Sequence, residues 1–115
     1  MPPGTELLPP QISGLQATQK SFADYQSKAF APRSPSFFAL ELAGEVGELA
    51  NEEKKIWRDA GRQIDLGRIG DEAADVFIAL INYANERGVD LESAVQKKLI
   101  EIERRRISGK MGPAL

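Results

Sequence analysis

The 115-residue chain contains no cysteine and no histidine. Without cysteine it can form no disulfide framework, no thiolate nucleophile and no zinc–cysteine site. Without histidine it lacks the commonest general base and transition-metal ligand, which excludes Ser-His triads, zinc hydrolases and the Glu-x-x-His di-iron sites of helical bundles. Any metal ion must therefore be held by carboxylates, which favour hard cations such as Mg²⁺, Mn²⁺ or Ca²⁺.

Long apolar runs and a strong net charge are also missing. The longest uninterrupted apolar run covers residues 76–81 and is far shorter than a membrane span. The net charge of −2 gives no general attraction to nucleic acid or anionic membranes. The first residues lack the basic stretch and apolar core of a signal peptide. We therefore expect a cytoplasmic protein with no nucleic-acid partner and no membrane partner.

Glycine and proline divide the chain into four helical segments between two irregular ends. Residues 1–11 hold four of the seven prolines and predict a flexible arm, and residues 108–115 predict a flexible tail. The predicted helices run from about Ser13 to Phe30, from a cap at Ser36 to about Arg58, from a cap at Asp65 to about Arg87, and from a cap at Asp90 to about Arg106. Short connections predict an all-α, compact four-helix bundle over residues 12–107. A domain this small could bury more surface by pairing with a second copy.

An acidic stripe runs along the second predicted helix. Its members are spaced 4, 3, 4 and 3 residues apart and fall within about 80° of arc: Glu41, Glu45, Glu48, Glu52 and Lys55. A solvated helix face usually mixes charges of both signs at this spacing, because like charges repel. Four carboxylates in a row therefore indicate a metal site, with a solvated charged face as the alternative.

Two glycines lie inside the same helix and flank this stripe. Gly44 and Gly47 each destabilise a helix by about 1 kcal/mol relative to alanine. Their missing side chains would let a ligand or another backbone approach Glu45 and Glu48 closely. Close packing against another helix would explain the glycines equally well.

The third predicted helix carries acids on an apolar background. Apolar residues surround it almost completely from Val76 to Tyr83, which predicts that it is buried. Glu72 and Asp75 lie three residues apart at its amino-terminal end, and Asn82 continues along that side. Buried carboxylates need a charged partner or a metal ion. The alternative is an acidic pair that the helix dipole stabilises.

The fourth predicted helix places two cations, Lys98 and Arg105, in a stripe that otherwise faces the core. They could snorkel at the edge of the bundle. They could also form the basic end of a pocket for phosphate oxygens. The neighbouring arginines favour a basic last turn over a nucleic-acid site, because no wider basic or aromatic patch accompanies them.

Glu45-x-x-Glu48, followed on the next helix by Glu72-x-x-Asp75, resembles the metal-binding signature of the MazG-type nucleoside triphosphate pyrophosphohydrolases. The sequence of residues 44–50 also resembles that of the MazG-type enzymes, and the resemblance covers most of the chain. It implies an all-α enzyme, commonly a homodimer or higher homo-oligomer, in which the four acids hold Mg²⁺ or, in its place, Mn²⁺. It also implies hydrolysis of (deoxy)nucleoside triphosphates to the monophosphate and pyrophosphate, a reaction suited to cleaning the nucleotide pool.

The resemblance assigns roles to the remaining candidates. A triphosphate carries several negative charges, so the acids can face it only through divalent cations. A metal-activated water would attack phosphorus, and Glu45 or Glu48 would orient that water or accept its proton. Glu41 and Glu52 extend the stripe and are weaker candidates. The substrate-binding candidates are Lys55, Asn82, Lys98 and Arg105.

Other functions stay open on the sequence alone. A phosphoribosyl-ATP pyrophosphohydrolase or a dimeric dUTPase would use similar carboxylates. A non-catalytic helical protein could instead bind a basic peptide in its acidic groove. The sequence does not identify the nucleobase of the substrate. The aromatic residues that could stack on a base are Tyr25, Phe37, Phe38 and Trp57. Aromatic residues at helical spacing more often form part of a core.

Overall fold

Four α-helices make up the fold in a computed structural model, which describes residues 5–59 and 61–109. They are α1 (Leu15–Ala29), α2 (Pro35–Arg58), α3 (Leu66–Arg87) and α4 (Leu91–Ser108). The described residues contain no strand, so the all-α prediction is confirmed. Residues 1–4 of the predicted arm and 110–115 of the predicted tail lie outside the described residues.

Local capping chemistry sets the helix boundaries. Asp65 and Asp90 cap α3 and α4 as predicted, and their side chains accept hydrogen bonds from the backbone amides of Arg68 (3.1 Å) and Ser93 (3.2 Å). The predicted cap at Ser36 is wrong by two residues. Ser34 caps α2, because a proline suits the first helical position and Pro35 occupies it.

Two glycines in the left-handed region fix two further boundaries. Gly14 has a φ of 82°, so α1 begins at Leu15 and not at the predicted Ser13. Gly88 has a φ of 73° and ends α3, as predicted. Its amide donates to the carbonyls of the last helical turn.

The chain forms two compact units. The central unit is Gln19–Val89, and the terminal unit combines Met1–Thr18 with Asp90–Leu115. In the terminal unit, the segment before α1 hydrogen-bonds to α4. The amide of Leu7 donates to Glu103 (2.6 Å), the amide of Ile12 donates to Gln96 (3.0 Å), and Gln96 donates to the carbonyl of Pro10 (3.1 Å).

In the central unit, α2 and α3 pack against each other in opposite directions. Glu52 near the end of α2 pairs with Arg68 at the start of α3, whereas Phe38 near the start of α2 and Asn82 near the end of α3 line one cavity. The buried apolar side chains are Phe38, Ala79, Ile81 and Ala84. The antiparallel pair carries every predicted metal ligand.

The prediction that α3 is buried holds for one side of the helix within the described residues. Ala79, Ile81 and Ala84 are buried, but Phe77, Ile78 and Leu80 are exposed by 44%, 44% and 37%. The apolar surround of α3 therefore includes a face that residues 5–59 and 61–109 leave uncovered. None of the helices in the described ranges combines the length and apolar character needed to cross a membrane.

Candidate functional site

Four carboxylates meet where α2 faces α3. One oxygen each of Glu45, Glu72 and Asp75 lies within 4.8 Å of the other two. Glu48 lies three residues after Glu45 on α2 and adjoins this group. Because it is close, its carboxylate raises the pKa values of both Glu45 and Glu72. Side chains three residues apart share one helix face, and the antiparallel packing turns the two acidic pairs toward each other. The structure thus brings together the four predicted metal ligands, which we call the carboxylate cluster.

Two oxygens of the carboxylate cluster lack a partner. Glu45 Oε2 and Glu72 Oε2 are both buried, and neither has a hydrogen-bond partner in the described part of the chain. None of the described cations forms an ion pair with any of the four acids. Buried acceptors without partners are unfavourable and rare in folded proteins. The carboxylate cluster therefore calls for positive charge that these residues do not supply.

The electrostatics of the carboxylate cluster agree with that geometry. Burial raises the pKa of Glu45, and the charges of Glu48, Asp75 and Glu72 raise it further. Burial also raises the pKa of Glu72, followed by a hydrogen-bond contact with the Glu48 carboxyl and by the charges of Glu48 and Asp75. Glu45 and Glu72 therefore hold a proton more tightly than isolated carboxylates do.

The glycines beside the carboxylate cluster face open space. Beyond its own helix, a side-chain carbon added at Gly44 or Gly47 would meet no atom of the described residues within 4 Å. Close packing against another helix in this part of the chain therefore does not account for them. The surface beside Glu45 and Glu48 is open to a ligand or to another chain.

Glu52, the acid of the stripe nearest the α2–α3 loop, has a different environment. Only 7% of the residue is exposed. Its Oε1 accepts hydrogen bonds from Arg68 Nε at 2.7 Å and from Lys55 Nζ at 3.3 Å. The Arg68 hydrogen bond is the largest cause of its lowered pKa, with a smaller contribution from Lys55. Glu52 thus belongs to an ion-pair network, and Lys55 is one of its cations.

Sequence reasoning missed Arg68. It lies four residues before Glu72 on α3, so it shares the helix face of Glu72 and Asp75. That spacing was the available signal. Arg68 lines a cavity of about 790 Å³ at the loop end of the helix pair, together with Lys55, Arg62 and Glu52.

A second cavity, of about 390 Å³, lies toward the other end of the helix pair. Its aromatic lining consists of Phe22, Tyr25, Phe30, Phe37 and Phe38. Asn82 also lines it, is only 9% exposed, and has no side-chain hydrogen bond among the described residues. Glu41 stands at the boundary, because it lines the cavity and its charge raises the pKa of Glu45. Trp57 is 81% exposed and does not line this aromatic cavity.

Lys98 and Arg105 belong to the terminal unit. Both side chains are exposed and pair with Glu101, at 3.4 Å and 2.7 Å. Those pairs lower the pKa of Glu101. Their exposure is compatible with snorkelling side chains, and their role toward phosphate stays a prediction.

Comparisons of the chain with protein-family models, with curated proteins and with solved structures found no match.

Proposed function

We propose that this chain is a Mg²⁺-dependent nucleoside triphosphate pyrophosphohydrolase that releases a nucleoside monophosphate and pyrophosphate. The observation that carries the proposal is the carboxylate cluster. Three carboxylate oxygens lie within 4.8 Å of one another, and two buried oxygens of the cluster have no partner among the described residues. The resemblance of Glu45-x-x-Glu48 and Glu72-x-x-Asp75 to the MazG-type signature supports the choice of reaction.

The donor set fits Mg²⁺. All its atoms are carboxylate oxygens, the ligands that this ion prefers. Three such oxygens within 4.8 Å of one another can close on one ion by rotation of their side chains. Glu45, Glu72 and Asp75 would hold the ion with Glu48 beside them, and Mn²⁺ would suit the same oxygens. When bound, the cation supplies charge neutralisation for the triphosphate and lowers the pKa of a water molecule.

Glu48 is the acid best placed to accept a proton from the attacking water. It lies outside the group of three acids whose oxygens converge, and it is exposed to solvent. It also contacts Glu72, which keeps its carboxylate beside the cluster. A carboxylate that is not fully engaged with a cation can orient a water molecule and hold its proton on one oxygen. We therefore assign Glu48 as the general base and Glu45 as a ligand.

The aromatic cavity is the proposed nucleoside end of the site. Its faces can stack on a base, and the buried Asn82 amide can both donate and accept hydrogen bonds. Because Glu41 links the cavity to Glu45, a nucleoside there would place its α-phosphate near the carboxylate cluster.

A screen of the common nucleoside triphosphates, dUTP and phosphoribosyl-ATP with pyrophosphate detection tests the proposal. We expect release of pyrophosphate with Mg²⁺ or Mn²⁺, no release in EDTA, and a large loss of rate in Glu48→Gln. Isothermal titration with Mg²⁺ and a non-hydrolysable nucleotide is run in parallel. Binding without turnover of any substrate would reject the enzyme in favour of a non-catalytic binding protein.

A further inference from the structure

The cavity at the loop end of the central unit has a cationic lining. Three cations line it, Lys55, Arg62 and Arg68, against two acids, Glu52 and Asp65. The cavity has a volume of about 790 Å³ and can admit a polar group of substantial size. We call this space the cationic cavity.

The acids of the cationic cavity are already engaged. Lys55 and Arg68 both pair with a single oxygen of Glu52, at 3.3 Å and 2.7 Å. One Asp65 oxygen accepts from a backbone amide of α3 as its cap. The Arg62 side chain forms no ion pair within the described ranges. The cavity therefore has positive charge to spare for an anion.

The cationic cavity adjoins the carboxylate cluster. Arg68 lies one turn before Glu72 on α3, and its charge opposes the rise in the pKa of Glu72. The aromatic cavity meets the cluster at the opposite edge, through Glu41. Along α2 the order is thus aromatic cavity, carboxylate cluster, cationic cavity. A nucleoside triphosphate has the same order of parts, namely nucleoside, α-phosphate, and β- and γ-phosphates.

We propose that the cationic cavity binds the β- and γ-phosphates of the substrate and then the pyrophosphate product. This inference rests on the proposed function. Arg68 leaves Glu52 for a phosphate, whose oxygens suit the planar fork of a guanidinium, while Arg62 and Lys55 add charge. Glu52 pairs with Arg68 when no phosphate is bound and competes with the phosphates for its guanidinium.

A purely structural Arg68 would make a different prediction. If Arg68 served only to neutralise the buried Glu52, removing either partner would affect stability and leave pyrophosphate affinity unchanged. If Arg68 serves the phosphates, Glu52 competes with them for its guanidinium. Arg68→Ala should then weaken pyrophosphate binding, whereas Glu52→Gln should strengthen it. These opposite signs separate the two roles.

The test is isothermal titration of inorganic pyrophosphate, with Mg²⁺ present, into the full chain. We expect binding to weaken at least about tenfold in Arg68→Ala, the range for a lost charge-assisted hydrogen bond. Arg62→Ala should weaken it several-fold without affecting the fold, since this side chain forms no ion pair in the described part of the chain. Arg58→Ala is the matched control, because this exposed cation ends α2 without lining the cavity. Circular dichroism verifies the helicity of every variant.

The outcomes separate this inference from the proposed function. Hydrolysis of a triphosphate together with unchanged pyrophosphate affinity in Arg68→Ala and Arg62→Ala overturns the cationic cavity and leaves the enzyme standing. Pyrophosphate binding that depends on both arginines, without turnover of any triphosphate, upholds the anion site and rejects the enzyme. If Glu52→Gln does not fold, the comparison of Arg62→Ala with Arg58→Ala decides the matter.

Discussion

Glu72→Gln should leave the metal-free protein at least as stable as the parent. The substitution removes one charge from the carboxylate cluster and keeps the shape of the side chain. Burial and the nearby Glu48 and Asp75 raise the pKa of Glu72 in the folded protein, so its charged form is disfavoured there. The new amide can also donate a hydrogen bond to the Glu48 carboxylate, which an ionised Glu72 cannot do.

The pH dependence of stability follows from the direction of this pKa shift. A raised carboxyl pKa means that the folded protein binds protons more tightly than the unfolded chain. The contribution to stability is therefore complete below the ordinary value of 4.5 and is lost as the pH rises through the folded pKa. Glu72→Gln should remove this part of the dependence, so its advantage over the parent should grow from pH 4.5 toward neutrality.

Mg²⁺ should reverse the order of stability. A ligand at a hundred times its dissociation constant stabilises the folded state by about 2.7 kcal/mol. For a domain near this size, each kcal/mol of added stability raises the Tm by about 4–8 °C. If the loss of one of three converging ligands weakens Mg²⁺ binding about a hundredfold, the same concentration contributes only about 0.4 kcal/mol. The parent should thus gain about 10–20 °C from Mg²⁺ and the variant only a few degrees.

Thermal melts with EDTA and with a series of Mg²⁺ concentrations measure both effects. Asp71→Asn is the matched control, since it removes the same charge from the adjacent, exposed position of α3. It should keep the full response to Mg²⁺. A Glu72→Gln protein that melts well below the parent in EDTA, or that keeps the parental response to Mg²⁺, would refute the metal-site argument.

Three further predictions concern the other parts of the chain. Lys98→Ala should weaken binding of a non-hydrolysable triphosphate more than binding of Mg²⁺, by isothermal titration; equal effects on both would remove its assignment to phosphate. The uncovered face of α3 predicts that two chains associate. Light scattering should therefore give about twice the 12.6 kDa of one chain, and Leu80→Glu should give a monomer. A parent protein that is monomeric at micromolar concentration contradicts this prediction. Hydrogen bonds from Arg106 and from the Leu7 amide lower the pKa of Glu103 to about 2. Ionised Glu103 therefore stabilises the fold above pH 4.5, and this stabilisation is lost as the pH falls toward about 2. The difference in Tm between the parent and Glu103→Gln should fade over that range, and a constant difference would contradict the assignment.

Much of the central unit follows from local sequence rules. Asp65 and Gly88 mark the two ends of α3 by capping chemistry that acts within one turn. The meeting of Glu45 with Glu72 and Asp75 follows from spacing as well. Acids three residues apart share a helix face, and a short loop makes successive helices antiparallel.

Other features depend on tertiary contacts that spacing does not reveal. A helix that is apolar on all sides needs cover on all sides, but its sequence does not say whether the cover comes from the same chain or from another. That is why α3 was expected to be buried and yet exposes Phe77 and Leu80. Likewise, cations in an otherwise apolar stripe can pair with an acid on their own helix, as Lys98 and Arg105 do with Glu101.

Two glutamates of the acidic stripe on α2, Glu52 and Glu45, lie in opposite electrostatic environments. Glu52 is largely buried, and the fold supplies Arg68 and Lys55 to neutralise it, so its pKa is lowered. Glu45 is two turns away on the same stripe, and its pKa is raised. One of its oxygens is buried and has no partner among the residues that the structure describes. The chain can therefore place cations against this helix, yet the described residues place none against Glu45. Because a buried carboxylate oxygen without a partner is unfavourable, we infer that positive charge from outside the described residues neutralises Glu45. A divalent cation that arrives with a triphosphate meets this requirement, whereas a solvated acidic face would leave the buried oxygens of Glu45 and Glu72 unexplained.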